Sequence, residues 1–321
     1  MNKIILLLIF LGTGALAQNI NNGLLLEYEF DGNADDSSGN EYHGTNYRTS
    51  FVNDRFGNPF SAAFFNGIDS YIDLPNLLEL KPALPVSFSF WIRYDSNDYK
   101  DRDVFNTSFK EDESSGVVFN SQASTGKYAV NYGDGSSIYT SATRKTYVSN
   151  SVIEVGEWHH VIGIVSSGLN MKIYVDCAEI SGTYSGSGGE LKYSDTPGSI
   201  GRHDRDIGIP ANYFKGALDD FRYWNRELTQ KEVESLCTYL SASNFSQVAQ
   251  DVKVYSIPGT GVIKIKSSID FDKVAIFNTL GERVYYGAHA SDIHLKRQAK
   301  GIYFVKLSFN GQIISKKFAL L

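Results

Sequence analysis

Val86-Ser87-Phe88-Ser89-Phe90-Trp91-Ile92-Arg93 alternates apolar and polar side chains with a period of two, the pattern of a strand that buries one face. The same beat recurs on both sides of it. Upstream lie Leu24-Leu25-Leu26-Glu27-Tyr28-Glu29-Phe30 and a pair of runs, Ala62-Ala63-Phe64-Phe65 and Tyr71-Ile72-Asp73-Leu74, around Asn66-Gly67-Ile68-Asp69. Downstream, Val161-Ile162-Gly163-Ile164-Val165, Met171-Lys172-Ile173-Tyr174-Val175 and Leu218-Asp219-Asp220-Phe221-Arg222-Tyr223-Trp224 repeat it. Turns of Gly, Asn and Ser part these runs, which points to an all-β antiparallel sandwich rather than βαβ units. One helix is expected, because Thr229-Gln230-Lys231-Glu232 forms a capping box ahead of Val233 and Leu236.

The chain has 321 residues, room for one large β domain and a small companion. Its apolar content and a net charge of only −6 exclude wholesale disorder, and the excess of acidic over basic residues argues against nucleic acid as the main partner. Charge is divided unevenly. Residues 252–321 hold 11 Lys and Arg against 4 Asp and Glu, a balance of +7, which leaves −13 for residues 1–251. A polar stretch of small residues precedes the break, so the chain divides into a domain at 18–240, a linker at 241–251 and a second domain at 252–321.

At the N-terminus, Met1-Asn2-Lys3, the apolar run from Ile4 to Leu11 and Ala15-Leu16-Ala17 before Gln18 form a secretory signal peptide over 1–17. That run is too short to cross about 30 Å of hydrocarbon as a helix, and no later segment approaches the roughly 18 apolar residues required, so no transmembrane helix is expected after cleavage. Export bears on Cys177 and Cys237. Outside the cytosol two thiols are expected to form one disulfide bond, and no His or Cys flanks them to build a metal site.

Larger motifs follow one another in the first domain. Tyr28-Glu29-Phe30-Asp31-Gly32-Asn33-Ala34-Asp35-Asp36-Ser37-Ser38-Gly39-Asn40 opens it, then Phe65-Asn66-Gly67 with Tyr71-Ile72, Phe88-Ser89-Phe90-Trp91-Ile92 and Trp158-His159-His160-Val161. Gly216-Ala217-Leu218-Asp219-Asp220-Phe221-Arg222-Tyr223-Trp224-Asn225-Arg226-Glu227-Leu228-Thr229 ends it. In this order they resemble the concanavalin A-like, laminin-G-like jelly roll of secreted bacterial proteins over about 24–238. The resemblance implies a two-sheet antiparallel jelly-roll sandwich with a concave face that binds glycans or proteins. It also implies a structural calcium ion joining the first and last strands.

The residues offer their own, thinner case for that ion. Calcium takes about six to eight oxygens, and Asp31, Asn33, Asp35 and Asp36 gather oxygens in a Gly-containing turn. Asp219 shares parity with Phe221 and Tyr223, so its carboxylate should point inward, where a lone charge is costly. A calcium shared by Asp31, Asp219 and the Gly67 carbonyl would remove that cost. The alternative is that the turn residues form solvated Asx turns and Asp219 accepts backbone hydrogen bonds. The turn is not an EF-hand, since Tyr42 and His43 stand where its closing Glu belongs.

The second domain is punctuated β structure. Val262-Ile263-Lys264-Ile265, Lys273-Val274-Ala275-Ile276-Phe277-Asn278, Arg283-Val284-Tyr285-Tyr286 and Ile302-Tyr303-Phe304-Val305-Lys306-Leu307 read as strands, with a turn at Asn278-Thr279-Leu280-Gly281. Ile276 to Val284, Lys300-Gly301-Ile302-Tyr303-Phe304-Val305 and the closing Lys316-Lys317-Phe318 resemble the type A sorting domain of type IX secretion, a small β-sandwich. Its opening, Tyr255-Ser256-Ile257-Pro258-Gly259, departs from that family's Pro-Asn-Pro. The resemblance implies export by the type IX secretion machinery, to the medium or to the cell surface.

Catalytic patterns are scarce. Glu111-Asp112-Glu113 is the closest acidic cluster, but consecutive acids on a strand alternate faces, whereas a retaining glycosidase needs two carboxylates about 5 Å apart. Tyr213-Phe214-Lys215-Gly216 has the Tyr-x-Lys of polysaccharide lyases without its partner motifs. His159 and His160, as strand neighbours, cannot chelate one ion, and Ser185-Gly186-Ser187-Gly188-Gly189 lacks the Lys and helix of a phosphate loop. No catalytic residue is assigned.

Binding has more support. Tyr94, Tyr99, Tyr128, Tyr132, Tyr139, Tyr147 and Trp224 are amphipathic rings suited to sugars or protein pockets, and Tyr128, Val130 and Tyr132 share one strand face. Arg202-His203-Asp204-Arg205-Asp206 reads as a rim loop, where recognition tends to sit, so Arg202, His203, Asp204 and Arg205 are the expected ligand contacts. The expectation is a secreted or cell-surface module that binds carbohydrate. The alternatives are a glycan-active enzyme of the same fold and an adhesin that recognises a cell-surface protein.

Overall fold

The computed structural model describes residues 20–96, 102–108, 110, 113–122, 125–137, 140–202, 213–238, 252–267, 271, 273–288, 292–295, 298–309 and 312–321. The expected signal peptide at 1–17 and the expected linker at 241–251 lie outside them. In the first domain the strands are β1 (Leu24–Tyr28), β2 (Thr45–Tyr47), β3 (Ser50–Val52), β4 (Ala62–Asn66), β5 (Tyr71–Asp73) and β6 (Val86–Tyr94). Next come β7 (Arg102–Asn106), β8 (Val117–Ser121), β9 (Lys127–Gly133), β10 (Arg144–Val152) and β11 (Trp158–Ser167). The last are β12 (Asn170–Val175), β13 (Ala178–Ile180), β14 (Gly182–Ser185), β15 (Ser199–Ile200) and β16 (Lys215–Trp224), before helix α1 (Gln230–Thr238).

These strands form two antiparallel sheets. The first has the order β13-β12-β11-β6-β16-β4-β3, with β1 also on β16, and the second runs β14-β10-β9-β8-β7-β15-β5-β2. Alternation on β6 works as its sequence dictates: Phe88, Phe90, Ile92 and Tyr94 enter the core, where Phe119 of the second sheet meets Phe88 and Phe90 at 5.5 and 5.3 Å. Burying each such ring contributes roughly 1.5–3 kcal/mol. Gly163 makes room for it, because a Cβ there would stand 2.1 Å from the Phe88 ring.

The intervening residues of the first sheet face outward, and α1 covers one end of them. Leu228, Val233 and Leu236 pack on Ile162, Ile164, Tyr174 and Trp224. The capping box forms: the Thr229 amide donates to Glu232 Oε2 at 2.8 Å and the Glu232 amide to Thr229 Oγ1 at 3.3 Å.

The second domain holds β17 (Lys253–Ile257), β18 (Val262–Lys266), β19 (Lys273–Asn278), β20 (Arg283–Ala288), β21 (Asp292–His294), β22 (Gly301–Phe309) and β23 (Gln312–Leu320). A sheet β17-β18-β21 packs on a sheet β20-β19-β22-β23 around Ile263, Val274, Ile276, Val305 and Leu307. Asn278 turns the β19–β20 hairpin as its sequence predicts, with its side chain accepting from the amides of Leu280 and Glu282, and Gly281 at φ +82°. No helix of the described residues is long and apolar enough to cross a membrane.

Candidate functional site

The outer face of the second sheet carries a row of short side chains at one level across its strands. Pairing places Thr45 opposite Asp73, Asp73 opposite Ser199, Ser199 opposite Asn106 and Asn106 opposite Val118. The row continues through Asn131 and Thr146 to Ser185. A neighbouring level pairs Asp103 with Asn120. Because residues opposite one another share a face, these residues line the side turned away from the core.

One wing of the face is aromatic. Tyr47 and Tyr71, opposite each other on β2 and β5, stack at 4.5 Å and 17°, and Tyr213 stands 6.2 Å from Tyr71. The Arg202 guanidinium lies 3.7 Å over the Tyr71 ring and donates to both Asp73 carboxylate oxygens at 3.2 and 3.4 Å. Its carbonyl accepts from Asn106 Nδ2 at 2.8 Å, which fixes the start of the loop on the sheet. Burial raises the Tyr71 phenol above its ordinary value, so it stays a donor at neutral pH. Deeper in, Asn120 Oδ1 and Thr146 Oγ1 are buried and find no hydrogen-bond partner among the described residues. Such groups are costly unless something pairs them.

The outer face of the first sheet is different. The Arg55 guanidinium sits 4.4 Å from both the Phe56 and Trp91 rings and pairs with Asp219 at 2.5 Å and Asp220 at 2.8 Å. His160 packs on Trp91 at 5.3 Å, and burial, helped by Arg55 and Arg222, pushes its ring pKa down to about 3. His159 turns the other way and bonds Asp176 at 2.6 Å, so the two imidazoles do not share a site. One guanidinium, that of Arg55, is thus shared by two buried carboxylates, and burial raises both of them.

The residues singled out from the sequence divide accordingly. Asp219 is buried, but not with Phe221 and Tyr223: a bulge between Asp219 and Arg222, with Asp220 at φ +48°, turns it to the outer face opposite Trp91. Tyr128, Val130 and Tyr132 do share a face, but it is the core face, and Tyr94 and Tyr147 are in the core too, while Trp224 lies under α1. Tyr99, Tyr139, His203, Asp204 and Arg205 lie outside the described residues. Tyr71 alternates with the core residue Ile72, whereas no pattern in the sequence singles out Tyr47, whose strand is exposed along its length. Glu113 is 3.8 Å from Lys110, its partner in an isolated β-bridge, and Glu111 and Asp112 lie outside the described residues.

A calcium ion held by Asp31, Gly67 and Asp219 does not fit this arrangement. Lys306 Nζ already stands 2.8 Å from Asp31, Arg55 occupies Asp219, and Gly67 belongs to a turn closed by the Asn66 side chain. No group of three or more His, Cys, Asp or Glu among the described residues has the geometry to hold a metal. Cys177, in the β12–β13 turn, and Cys237, in α1, carry free thiols that contact each other, and burial raises both.

Comparison with known proteins agrees with this architecture. Residues 66–234 match the model of the concanavalin A-like lectin/glucanases superfamily, and residues 253–320 match a secretion-system C-terminal sorting domain. The tail marks the protein for type IX secretion, to the exterior or the cell surface. No curated protein sequence matches the chain. Among solved structures, domain 4 of AbnA, an extracellular GH43 arabinanase from Geobacillus stearothermophilus in complex with arabinotriose, is 21% identical with a TM-score of 0.50, over 65% of this chain and 96% of that one. A botulinum neurotoxin type C structure, whose cell entry depends on two ganglioside molecules, is 14% identical with a TM-score of 0.53, over 92% of this chain and 73% of that one. The matched segment spans more than half of the sequence and the two-sheet fold agrees with it, so the chain belongs to the concanavalin A-like lectin/glucanases superfamily.

Proposed function

We propose that the protein is a secreted carbohydrate-binding module and that the outer face of the second sheet is its binding surface. The observation that supports this is the accessible Tyr47–Tyr71 wing with Thr45 and Asp73 beside it: short polar groups next to a stacked aromatic pair suit the hydroxyls and the apolar faces of sugars. Asn120 and Thr146 offer buried polar atoms that a ligand would pair. Arg202, neutralised by Asp73, orients Tyr71 and favours neutral over acidic sugars. The bound arabinotriose and the gangliosides named for the two similar structures are consistent with a sugar ligand.

A glycan array probed with the full secreted chain tests the reading. Binding that is lost in Tyr71→Ala supports it. Binding to proteins but to no glycan favours the adhesin. Turnover of a bound polysaccharide favours the enzyme, for which the described carboxylates of this face are poorly placed, since Asp73 is held by Arg202 and Asp103 is fully buried.

A further inference from the structure

The jelly roll closes where its first strand meets its last. Strand β1 pairs with β16, some two hundred residues later, and Glu27 stands opposite Arg222 with 3.0 Å between them. Two lysines of the C-terminal domain reach this seam. Lys273 Nζ lies 2.7 Å from Glu27 Oε2, 2.6 Å from the Ser37 carbonyl and 3.8 Å from Glu29. Lys306 Nζ lies 2.8 Å from Asp31 and 3.3 Å from Ser61 Oγ.

Both lysines come from one face of one sheet. Ala275, two residues after Lys273 on β19, stands opposite Lys306 on β22, while the alternate residues Val274, Ile276, Val305 and Leu307 point into the tail's own core. The tail therefore presents a second, cationic face that its own folding does not use. The opposing surface needs those cations. Glu27, Asp31 and Asp220 gather around Glu29, and burial, helped by these like charges, lifts Glu29 to about 7. The opposite net charges of the two domains have the same sense.

We propose that the C-terminal domain is a clasp: Lys273 and Lys306 dock on the acidic seam of the jelly roll and hold β1 against β16. Glu27 of β1 bonds Arg222 of β16 and Lys273 of the tail at once, so the domain that carries the export signal settles on the seam that closes the jelly roll. The contacts are partly exposed, with 21% and 23% of the two lysine side chains accessible, which makes the clasp responsive to salt.

Hydrogen exchange on the full chain tests this. In Lys273→Glu/Lys306→Glu, the β1 amides should exchange about tenfold faster, while central β11 and the tail strand β22 keep their protection. Raising salt from about 0.05 to about 0.5 M should move the wild type the same way. Combining Lys306→Asp with Asp31→Lys should restore β1 protection relative to Lys306→Asp alone. Unchanged β1 exchange in the double variant with a protected tail would overturn the clasp, as would failure of the exchanged pair to rescue. Should the tail itself lose protection in the glutamate variant, Lys273→Gln/Lys306→Gln and the salt series decide by the same criterion.

Discussion

The two outer faces of the sandwich are built from the same period-two alternation and end differently. On the first sheet, helix α1, the aromatic-sandwiched Arg55 and two tail lysines cover the face and bring cations to its buried carboxylates. On the second, a level row of amides and hydroxyls runs beside stacked tyrosines, while buried polar atoms with no partner among the described residues occur on both faces, Ser89 Oγ and His160 Nδ1 on the first and Asn120 Oδ1 and Thr146 Oγ1 on the second. Polar groups on the first face hold the fold together. At the centre of the second they do the same, since Asn106 and Ser199 bond each other and the Arg202 carbonyl, and its accessible groups lie at the Tyr47–Tyr71 wing.

The largest expected effect is at Arg55. Arg55→Ala leaves the buried carboxylates of Asp219 and Asp220 without their cation and should cost about 3–5 kcal/mol in urea unfolding, with partial recovery in Arg55→Ala/Asp219→Asn. Close behind is the thiol pair that ties α1 to the β12–β13 turn. In the exported protein we expect Cys177 and Cys237 to be oxidised, and reduction should lower stability by about 3–4 kcal/mol, because the bond closes a loop of about 60 residues. Thiol titration of the secreted chain checks this, and two free thiols would contradict it.

His160 gives a smaller, pH-dependent effect. The unfolded chain takes up the imidazole proton near pH 6.5, but the folded protein does so only near about 3, so stability is fully present above 6.5 and is lost as pH falls toward 3. Glu29, raised to about 7, works in the opposite direction, so the difference between wild type and His160→Gln is the quantity to follow. It should shift against the wild type by about 2 kcal/mol between pH 6.5 and pH 5. On the other face, Thr146→Val should leave stability unchanged or raise it by up to about 1 kcal/mol while weakening glycan binding. A clear loss of stability there would erase the contrast between the faces. Smallest of all, EDTA should leave the melting temperature where it is, since protein cations already occupy Asp31 and Asp219.

Much of the fold was legible because it is local. The alternation of β6, the Thr229–Glu232 capping box and the Asn278 turn each depend on a few neighbouring residues, and each forms as read. The failures are of two kinds. Asp219 was assigned to the wrong face because one extra residue in β16 reverses the parity, and a period cannot reveal a bulge. Tyr128 and Tyr132 were grouped correctly on one face, but alternation alone does not say which face meets the core; here the quieter Ala129 and Asn131 look outward. The polar row was not legible at all. It depends on which residue of each strand lies opposite which residue of the next, and a single chain does not display that alignment.

That row crosses eight strands, and adjacent strands of a sheet lie about 4.8 Å apart. Asn106 and Ser199 at its centre are buried and bonded to each other, so a polymer laid across the strands would touch Thr45 and Asp73 at one end and Ser185 at the other. Contact at both ends needs enough units to span them, so a long chain is retained where its monomer slips away. The surface would act as a ruler, sensing extent more sharply than identity.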